Sequence, residues 1–144
     1  MRVLVQRCSK GKCVVNDKTV SEIKDGLVLF VGFTDTDNKE TIIKMINKII
    51  NLRIFPDDNN IMNLSIKDVG GEILSISQFT LYADTTKGNR PSYIKAMTGK
   101  KAILLYEYFN KCLNEYIPTR TGIFGADMEI SIVNIGPTTI LLER

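Results

Sequence analysis

Two short segments, Ser77-Gln78-Phe79-Thr80 and Asn134-Ile135-Gly136-Pro137-Thr138, stand out in a chain of 144 residues that contains no histidine. Both lie at the ends of apolar, β-branched runs, where a sheet can hold backbone N–H and C=O groups in fixed places. Backbone N–H groups in such places can stabilise the oxyanion that develops when an ester is cleaved. The pair of segments therefore points to ester hydrolysis without a histidine base.

The residue types exclude several other kinds of chemistry. Without histidine there is no Ser-His-Asp or Cys-His arrangement, and no S-x-x-K or G-x-S-x-G sequence replaces it. The acidic run Asp57-Asp58-Asn59-Asn60 is typical of a turn rather than a metal site, so we expect no metal. No G-x-G-x-x-G or Walker sequence is present, and we expect no cofactor. The N–H groups of Phe79 and Thr80 remain as candidate oxyanion donors.

Each segment also has a plainer interpretation. Ser77 to Thr80 could be polar residues in an ordinary strand, and Gly136-Pro137 could be a simple turn. A Gly-Pro bond is also a candidate for a cis peptide, which occurs in about 5–6% of X–Pro bonds. A cis bond would turn the flanking carbonyl groups to one side, where they could hold an ammonium group and exclude a misplaced substituent.

The remaining pattern predicts an α+β fold in a single domain, residues 1–144: a curled, mostly antiparallel sheet or partial barrel with two main helices packed on one face. Asp37 and Glu40 resemble a capping box for a helix over 38–52, and an apolar stripe predicts a second helix over 99–116. Asn16-Asp17 and Asp25-Gly26 are typical hairpin turns. The predicted strands cover residues 3–8, 12–16, 19–23, 27–33, 72–81, 128–135 and 139–142.

Composition indicates where such a domain works. The three cysteines, Cys8, Cys13 and Cys112, lack metal or disulfide spacing, which favours reduced, buried thiols. The N-terminus reaches a charge too early for a signal peptide, and no apolar run is long enough to span a membrane. We expect a soluble, cytoplasmic protein without a membrane partner. A net charge of +3 permits a nucleic-acid partner without requiring one.

Several motifs together resemble the D-aminoacyl-tRNA deacylase family along essentially the whole chain. The motifs are Gln6-Arg7, Arg53-Ile54-Phe55, Met62-Asn63-Leu64, Ser77-Gln78-Phe79-Thr80-Leu81, Ala83-Asp84, Arg90-Pro91-Ser92, Gly122-Ile123-Phe124-Gly125-Ala126-Asp127-Met128 and Asn134-Ile135-Gly136-Pro137. Tyr93, Cys8, Ile135 and Thr138 depart from the residues common in the family, without removing a matched functional position.

The resemblance implies a homodimer that cleaves the ester between a D-amino acid, or glycine, and the 3′-terminal adenosine of tRNA. It implies that a cis Gly136-Pro137 enters the partner's pocket to reject L-amino acids, steadied by Arg7. It assigns the substrate carbonyl and ester to Ser77, Gln78, Phe79 and Thr80. Phe124 and Met128 resemble the wall that receives the adenine, although they could be plain core.

Two questions stay open at this stage. Water could be activated by the 2′-OH of the terminal ribose, or Thr80 could act as a nucleophile, although no base is evident beside it. Rival functions are a non-catalytic RNA-binding module and a dimeric scaffold without RNA affinity. Neither rival needs a chiral pocket.

Overall fold

The computed structural model describes residues 1–144 as eight strands, three α-helices and a 3₁₀ turn. The helices are α1 (Lys39–Ile50), α2 (Ile66–Val69) and α3 (Gly99–Asn114), and the 3₁₀ turn is Phe79–Tyr82. The strands are β1 (Arg2–Val15), β2 (Lys18–Ile23), β3 (Gly26–Gly32), β4 (Phe55–Pro56), β5 (Met62–Leu64), β6 (Glu72–Ser77), β7 (Thr119–Thr121) and β8 (Glu129–Glu143).

The main sheet is mixed and curled, with the order β2-β1-β3-β6-β7 and β8 added to β1. β1 pairs antiparallel with β2, β3 and β8, whereas β3–β6 and β6–β7 are parallel. The Ser21 hydroxyl of β2 donates a hydrogen bond to the Thr121 carbonyl of β7 over 2.9 Å, which draws the two ends of the sheet together. The predicted α+β class and the mostly antiparallel, partly closed sheet are confirmed.

Two apolar clusters fill the two sides of this sheet. The larger holds 23 buried residues and includes one face of α1 and one face of α3, both packed on the same side of the sheet. The smaller lies inside the curl and consists of Cys8, Cys13, Ile23, Val28, Leu74 and Ile76. The two long helices therefore cover one face, as predicted, and all three cysteines are free and buried.

The first helix begins differently from the prediction. Asn38, not Asp37, is its N-cap, and the Asn38 side chain accepts a hydrogen bond from the Thr41 N–H over 3.1 Å. The Asp37 carboxylate instead accepts from the Thr34 N–H and pairs with the terminal ammonium of Met1 at 2.6 Å. The predicted Asp37–Glu40 capping box is wrong because this tertiary ion pair takes the Asp37 side chain away from the helix.

Other boundaries differ for similar reasons. β1 and β8 are each one continuous strand where two were predicted, and the 72–81 strand stops at Ser77 and turns into the 3₁₀ turn. The Asn16-Asp17 hairpin is confirmed, with φ of 49° and 61°. Asp25-Gly26 is not a hairpin turn, because β3 pairs with β1 and β6 rather than with β2. Tyr116 lies beyond α3 and is exposed.

Candidate active site

A cavity of about 570 Å³ opens where the parallel strands β3 and β6 end. Val31 and Gly32 of β3 and Ile76 and Ser77 of β6 form its floor. The carboxyl end of parallel strands is a frequent place for ligand sites, because loops from neighbouring strands meet there. Phe33, Gln78 and Phe79 follow these strands and also line the cavity. The remaining lining residues come from the loop before α3, from the first turn of α3, from the segment before β8 and from the start of β8: Tyr93, Ala96, Met97, Gly99, Ala102, Phe124, Gly125, Ala126, Asp127, Met128 and Ile130.

The predicted catalytic segment forms one wall of this cavity. Ser77, Gln78 and Phe79 line it, whereas Thr80 does not. The Gln78 N–H donates to the Val31 carbonyl over 2.7 Å, which ties the end of β6 to β3. Phe79 and Thr80 are the first two residues of the 3₁₀ turn, where backbone N–H groups have no partner within the turn itself. The backbone at this wall can therefore offer hydrogen-bond donors.

The Thr80 hydroxyl is already engaged by a neighbour. The side-chain amide of Gln78 donates a hydrogen bond to Thr80 Oγ1. An amide cannot take up a proton at neutral pH, so Gln78 is no base for this hydroxyl. The contact fixes the two side chains against each other.

Gly32 holds the turn in place through its lack of a side chain. A Cβ at position 32 would lie 2.8 Å from the Gln78 carbonyl oxygen, 3.3 Å from Leu81 Cβ and 3.4 Å from the Tyr82 ring. The backbone of the 3₁₀ turn therefore approaches β3 as closely as glycine permits. Position 32 carried no recognisable signal in the sequence.

The opposite wall is the predicted Phe124–Met128 segment. Phe124 packs against Tyr106, with ring centroids 5.7 Å apart and ring planes at 45°. Gly125 has φ of 76°, which lets the chain turn sharply between the two side chains. Phe124 and Met128 are half-buried: each contacts a core cluster and also lines the cavity. One side of each residue therefore packs in the core, and the other side faces the cavity.

An aromatic pair stands at the cavity mouth. Phe79, which is 56% exposed, meets the ring of Tyr93 edge to face at 5.0 Å. Tyr93 follows a short loop closed by the Asp84–Ser92 bridge, and Asp84 accepts from Thr86 and pairs with Lys95 at 3.1 Å. The hydrogen bonds from Thr86, with the charge of Lys95, hold the pKa of Asp84 well below its usual range.

Gly136 and Pro137 do not line the cavity of their own chain, and the bond between them is cis. β8 pairs Thr139 with Gln6 and then Asn134 with Cys8, so residues 135–138 bulge out of the ladder opposite Arg7. The side chain of Arg7 is buried behind this bulge. It donates to the Gly136 carbonyl over 3.0 Å and to the Ile54 carbonyl over 2.6 Å. Arg7 thus fixes an exposed, projecting segment.

Titratable groups around the cavity are few. Asp127 is the one carboxylate among the lining residues, and no group of three or more acidic or cysteine side chains is arranged to hold a metal ion. Asp57 closes the β4–β5 turn by accepting from the Asn59 and Ile61 N–H groups, in agreement with a turn there. Burial raises the pKa of Tyr106, whose hydroxyl donates to the Ser75 carbonyl over 2.7 Å.

Several cavity residues escaped the sequence reasoning. In the sequence, Met97 and Ala102 are ordinary apolar residues, and Tyr93 and Asp127 were noted only with the family motifs. Their common property is position next to the ends of β3 and β6. Only the tertiary fold supplies that information.

Comparison with known proteins shows the family of this chain. Residues 4–143 match the family model described as D-Tyr-tRNA(Tyr) deacylase. A D-aminoacyl-tRNA deacylase of Listeria monocytogenes serotype 4a is 53% identical, covering 99% of this chain and 95% of the relative. One of Flavobacterium psychrophilum is 50% identical, covering 99% and 97%.

Solved structures share the fold as well. A c-Myc DNA Unwinding Element Binding Protein is 36% identical with a TM-score of 0.95, covering 100% of this chain and 99% of the other. A probable eukaryotic D-amino acid tRNA deacylase has a TM-score of 0.83 at 18% identity, covering 98% and 97%, which shows the fold alone. None of the helices in this structure combines the length and apolar character that a membrane crossing requires.

The family match and these relatives define a hydrolase that acts on aminoacyl-tRNA. The chain belongs to the D-Tyr-tRNA(Tyr) deacylase family, whose curated members are D-aminoacyl-tRNA deacylases.

Proposed function

We propose that this protein cleaves the ester between a D-amino acid, or glycine, and the 3′-terminal adenosine of tRNA, and that it spares L-aminoacyl-tRNA. One observation carries the proposal. Ser77, Gln78 and Phe79 line the same cavity as Phe124 and Met128, while Gly136 and Pro137 lie outside that cavity, exposed and next to Arg7. The proposed ester site and adenine wall would then share one cavity, and the segment proposed to select chirality would be free to reach another subunit.

The ester would lie against the 3₁₀ turn. Ser77, Gln78, Phe79 and Thr80 form the catalytic segment, in which the N–H groups at the start of the turn face the carbonyl oxygen. Removing one such donor costs about 10²–10³ in rate in other hydrolases. The segment contributes mainly backbone groups, and its side chains hold the turn in shape.

Water would be activated by the substrate rather than by the protein. The 2′-OH of the terminal ribose lies beside the ester in any aminoacyl-tRNA and can orient a water molecule next to it. Thr80 is disfavoured as a nucleophile because its hydroxyl accepts a hydrogen bond from the Gln78 amide, which cannot act as a base. No metal or cofactor enters this mechanism.

The adenine would stack against Phe124, with Met128 beside it. Stacking of a base on an aromatic side chain contributes about 1–3 kcal/mol. The cavity, at about 570 Å³, has room for a nucleoside with a small acyl group. Its Phe124 end would hold the base, and its Ser77 end would hold the ester.

Chirality would be read by a second copy of the chain. In the homodimer, Gly136 and Pro137 of one subunit enter the cavity of the other, and Arg7 keeps the Gly136 carbonyl in position. The outer face of β8 supports this arrangement, since Val133, Ile135 and Leu141 leave apolar side chains exposed around the bulge. Exposed apolar patches of this kind mark interaction surfaces.

The acceptor end of tRNA would be held through its phosphates by lysine and arginine side chains, with the salt-dependent affinity typical of such contacts. Translation takes place in the cytoplasm, so the proposed activity places the protein there. A second candidate, nucleic-acid binding without turnover, has one observation in its favour: a structurally similar chain, 36% identical, is named for binding a DNA unwinding element. A dimeric scaffold would need neither the cavity nor the fixed Gly136 carbonyl.

The decisive experiment compares deacylation of matched D- and L-tyrosyl-tRNA by purified protein with and without a chelator. We expect rapid loss of D-tyrosine, near-inert L-tyrosyl-tRNA and no effect of the chelator. Equal rates on the two enantiomers would refute the proposal. Binding without turnover would favour the second candidate.

A matched pair of variants tests the site. Phe124→Ala removes the stacking wall and should lower kcat/KM by roughly tenfold or more, given about 1–3 kcal/mol for a base stack. Ile94→Ala truncates a side chain that is 86% exposed and off the cavity, and it should leave kcat/KM unchanged.

A further inference from the structure

A second cavity, of about 320 Å³, shares Phe124 with the main cavity. Its other walls are Ile103, Tyr106, Glu107 and Asn110 of α3 and Thr121 at the end of β7. The four α3 residues are spaced three, four and seven apart, so they form one face of the helix. The proposed active site uses none of these α3 residues. Gly122, which completes the cavity wall, and Phe124 belong to the motifs that suggested the family, whereas the other lining residues do not.

The shape and chemistry of this cavity suit a planar heterocycle. Phe124 offers an aromatic ring that is backed by the buried ring of Tyr106, with ring centroids 5.7 Å apart, and Ile103 adds an aliphatic wall. Aromatic side chains of this kind hold unpaired bases of single-stranded RNA. The volume accommodates a single pyrimidine.

Two acceptor groups of the cavity, on Glu107 and Asn110, have no hydrogen-bond donor in the protein, whereas the Tyr106 hydroxyl is engaged with the Ser75 carbonyl. Glu107 is exposed and forms no ion pair. Asn110 Oδ1 is shielded from solvent and accepts no hydrogen bond. A shielded acceptor without a donor is uncommon in proteins. Because the terminal torsion of asparagine is soft, a small rotation presents this oxygen to a ligand. The cavity therefore suits a ligand that has N–H donor groups.

We infer that this cavity binds the cytosine base of the nucleotide that precedes the terminal adenosine of tRNA. The inference rests on the proposed function, which places the ester at Ser77 and the adenine at Phe124. The RNA chain then leaves the main cavity on the side of Phe124, where the second cavity begins. The exocyclic amino group of cytosine carries two hydrogens, which match the oxygens of Glu107 and Asn110.

Uracil would be rejected by the same groups. Uracil carries a carbonyl oxygen where cytosine carries the amino group. The acceptor oxygens of Glu107 and Asn110 would then face a third acceptor instead of a donor. A site that hydrogen-bonds one base in this way discriminates strongly against a base that leaves its polar groups unpaired. Glu107 is thus a specificity residue for the penultimate nucleotide, distant from the bond that is cleaved.

The test measures binding of two dinucleotides without an amino acid, cytidylyl-adenosine and uridylyl-adenosine, by titration of the unmodified protein. We expect the cytidine form to bind about tenfold more tightly. Glu107→Gln should shrink this ratio to near unity, because the glutamine amide can donate to the uracil oxygen. Glu115→Gln removes the same charge from the exposed end of α3, away from both cavities, and should keep the parental ratio.

Equal affinity of the parent for both dinucleotides would overturn the inference, as would a parental ratio in the Glu107→Gln variant. These binding outcomes are readable whether or not any ester is hydrolysed. The proposed function fails separately, through equal turnover of D- and L-tyrosyl-tRNA. The same ratio should appear in KM, and not in kcat, when D-tyrosyl esters of the two dinucleotides are compared.

Discussion

Gly32→Ala is the sharpest probe of a mechanism built on backbone groups. The added methyl would lie 2.8 Å from the Gln78 carbonyl oxygen, where contacts below 3.0 Å essentially never occur for real Cβ atoms. The obstructing atom belongs to the backbone, so no flexible side chain can swing aside. The 3₁₀ turn must move by several tenths of an ångström, and it would carry the N–H groups of Phe79 and Thr80 with it.

The expected magnitudes follow from this displacement. Overpacking of a tight contact costs about 1–3 kcal/mol of stability. For a chain of this size, that cost lowers Tm by roughly 3–10 °C. A misplacement of about 1 Å in an active site can cost roughly 10²-fold in rate, so a shift of part of an ångström should cost about tenfold or more in kcat. The loss of rate should exceed any loss of folded protein at 25 °C.

The assay is single-turnover deacylation of D-tyrosyl-tRNA at saturating enzyme, combined with thermal unfolding. Gly26→Ala is the matched control, since its methyl would lie 1.9 Å from the Glu72 carbonyl oxygen at the other end of β3, far along the strand from the cavity. It should lower Tm without a specific loss of rate in the folded fraction. A Gly32→Ala enzyme that is destabilised but turns over at the parental rate would refute the reasoning.

Three further outcomes are expected. Thr80→Ala should keep most of the parental deacylation rate. A substrate ending in 2′-deoxyadenosine should react far more slowly with the parental protein. An acyl-Thr80 species in mass spectra would contradict both expectations. Burial, aided by the charge of Asp25, raises the pKa of Cys8 to about 11, so thiol reagents at pH 8 should label it only after unfolding. Leu141→Lys, on the outer face of β8, should give monomers in sedimentation and lower the D-selective rate, whereas Val69→Lys, at a comparably exposed apolar position outside that face, should not.

The two long helices, α1 and α3, and the first hairpin could be predicted because their signals are local, whereas the short helix α2 was missed. The apolar stripe of α1 repeats at helical spacing, and Asn16 and Asp17 tolerate the positive φ that their turn requires. Strand pairing carries no such local signal. The sequence does not reveal that β3 pairs in parallel with β6, although this pairing creates the floor of the cavity.

The candidate site also has parts that could be predicted from the sequence and parts that could not. The motifs containing Ser77 and Phe124 could be recognised in the sequence. The structure brings them to one cavity although they are far apart in the chain. The 3₁₀ turn was hidden, because Phe79 to Tyr82 has the composition of a strand and only the contact with Gly32 shows why the chain turns there. The second cavity was hidden too, since its α3 residues look like an ordinary amphipathic helix.

The proposed backbone mechanism changes which substitutions are informative. Side-chain truncation at Thr80 tests a hydroxyl that accepts a hydrogen bond from the Gln78 amide, whereas a methyl at Gly32 tests the position of the N–H groups themselves. If the backbone dominates, Gly32→Ala should be slow and Thr80→Ala nearly normal. If the Thr80 hydroxyl is the nucleophile, the order should reverse, because Thr80→Ala removes the attacking group itself. The two variants measured together therefore decide between the mechanisms.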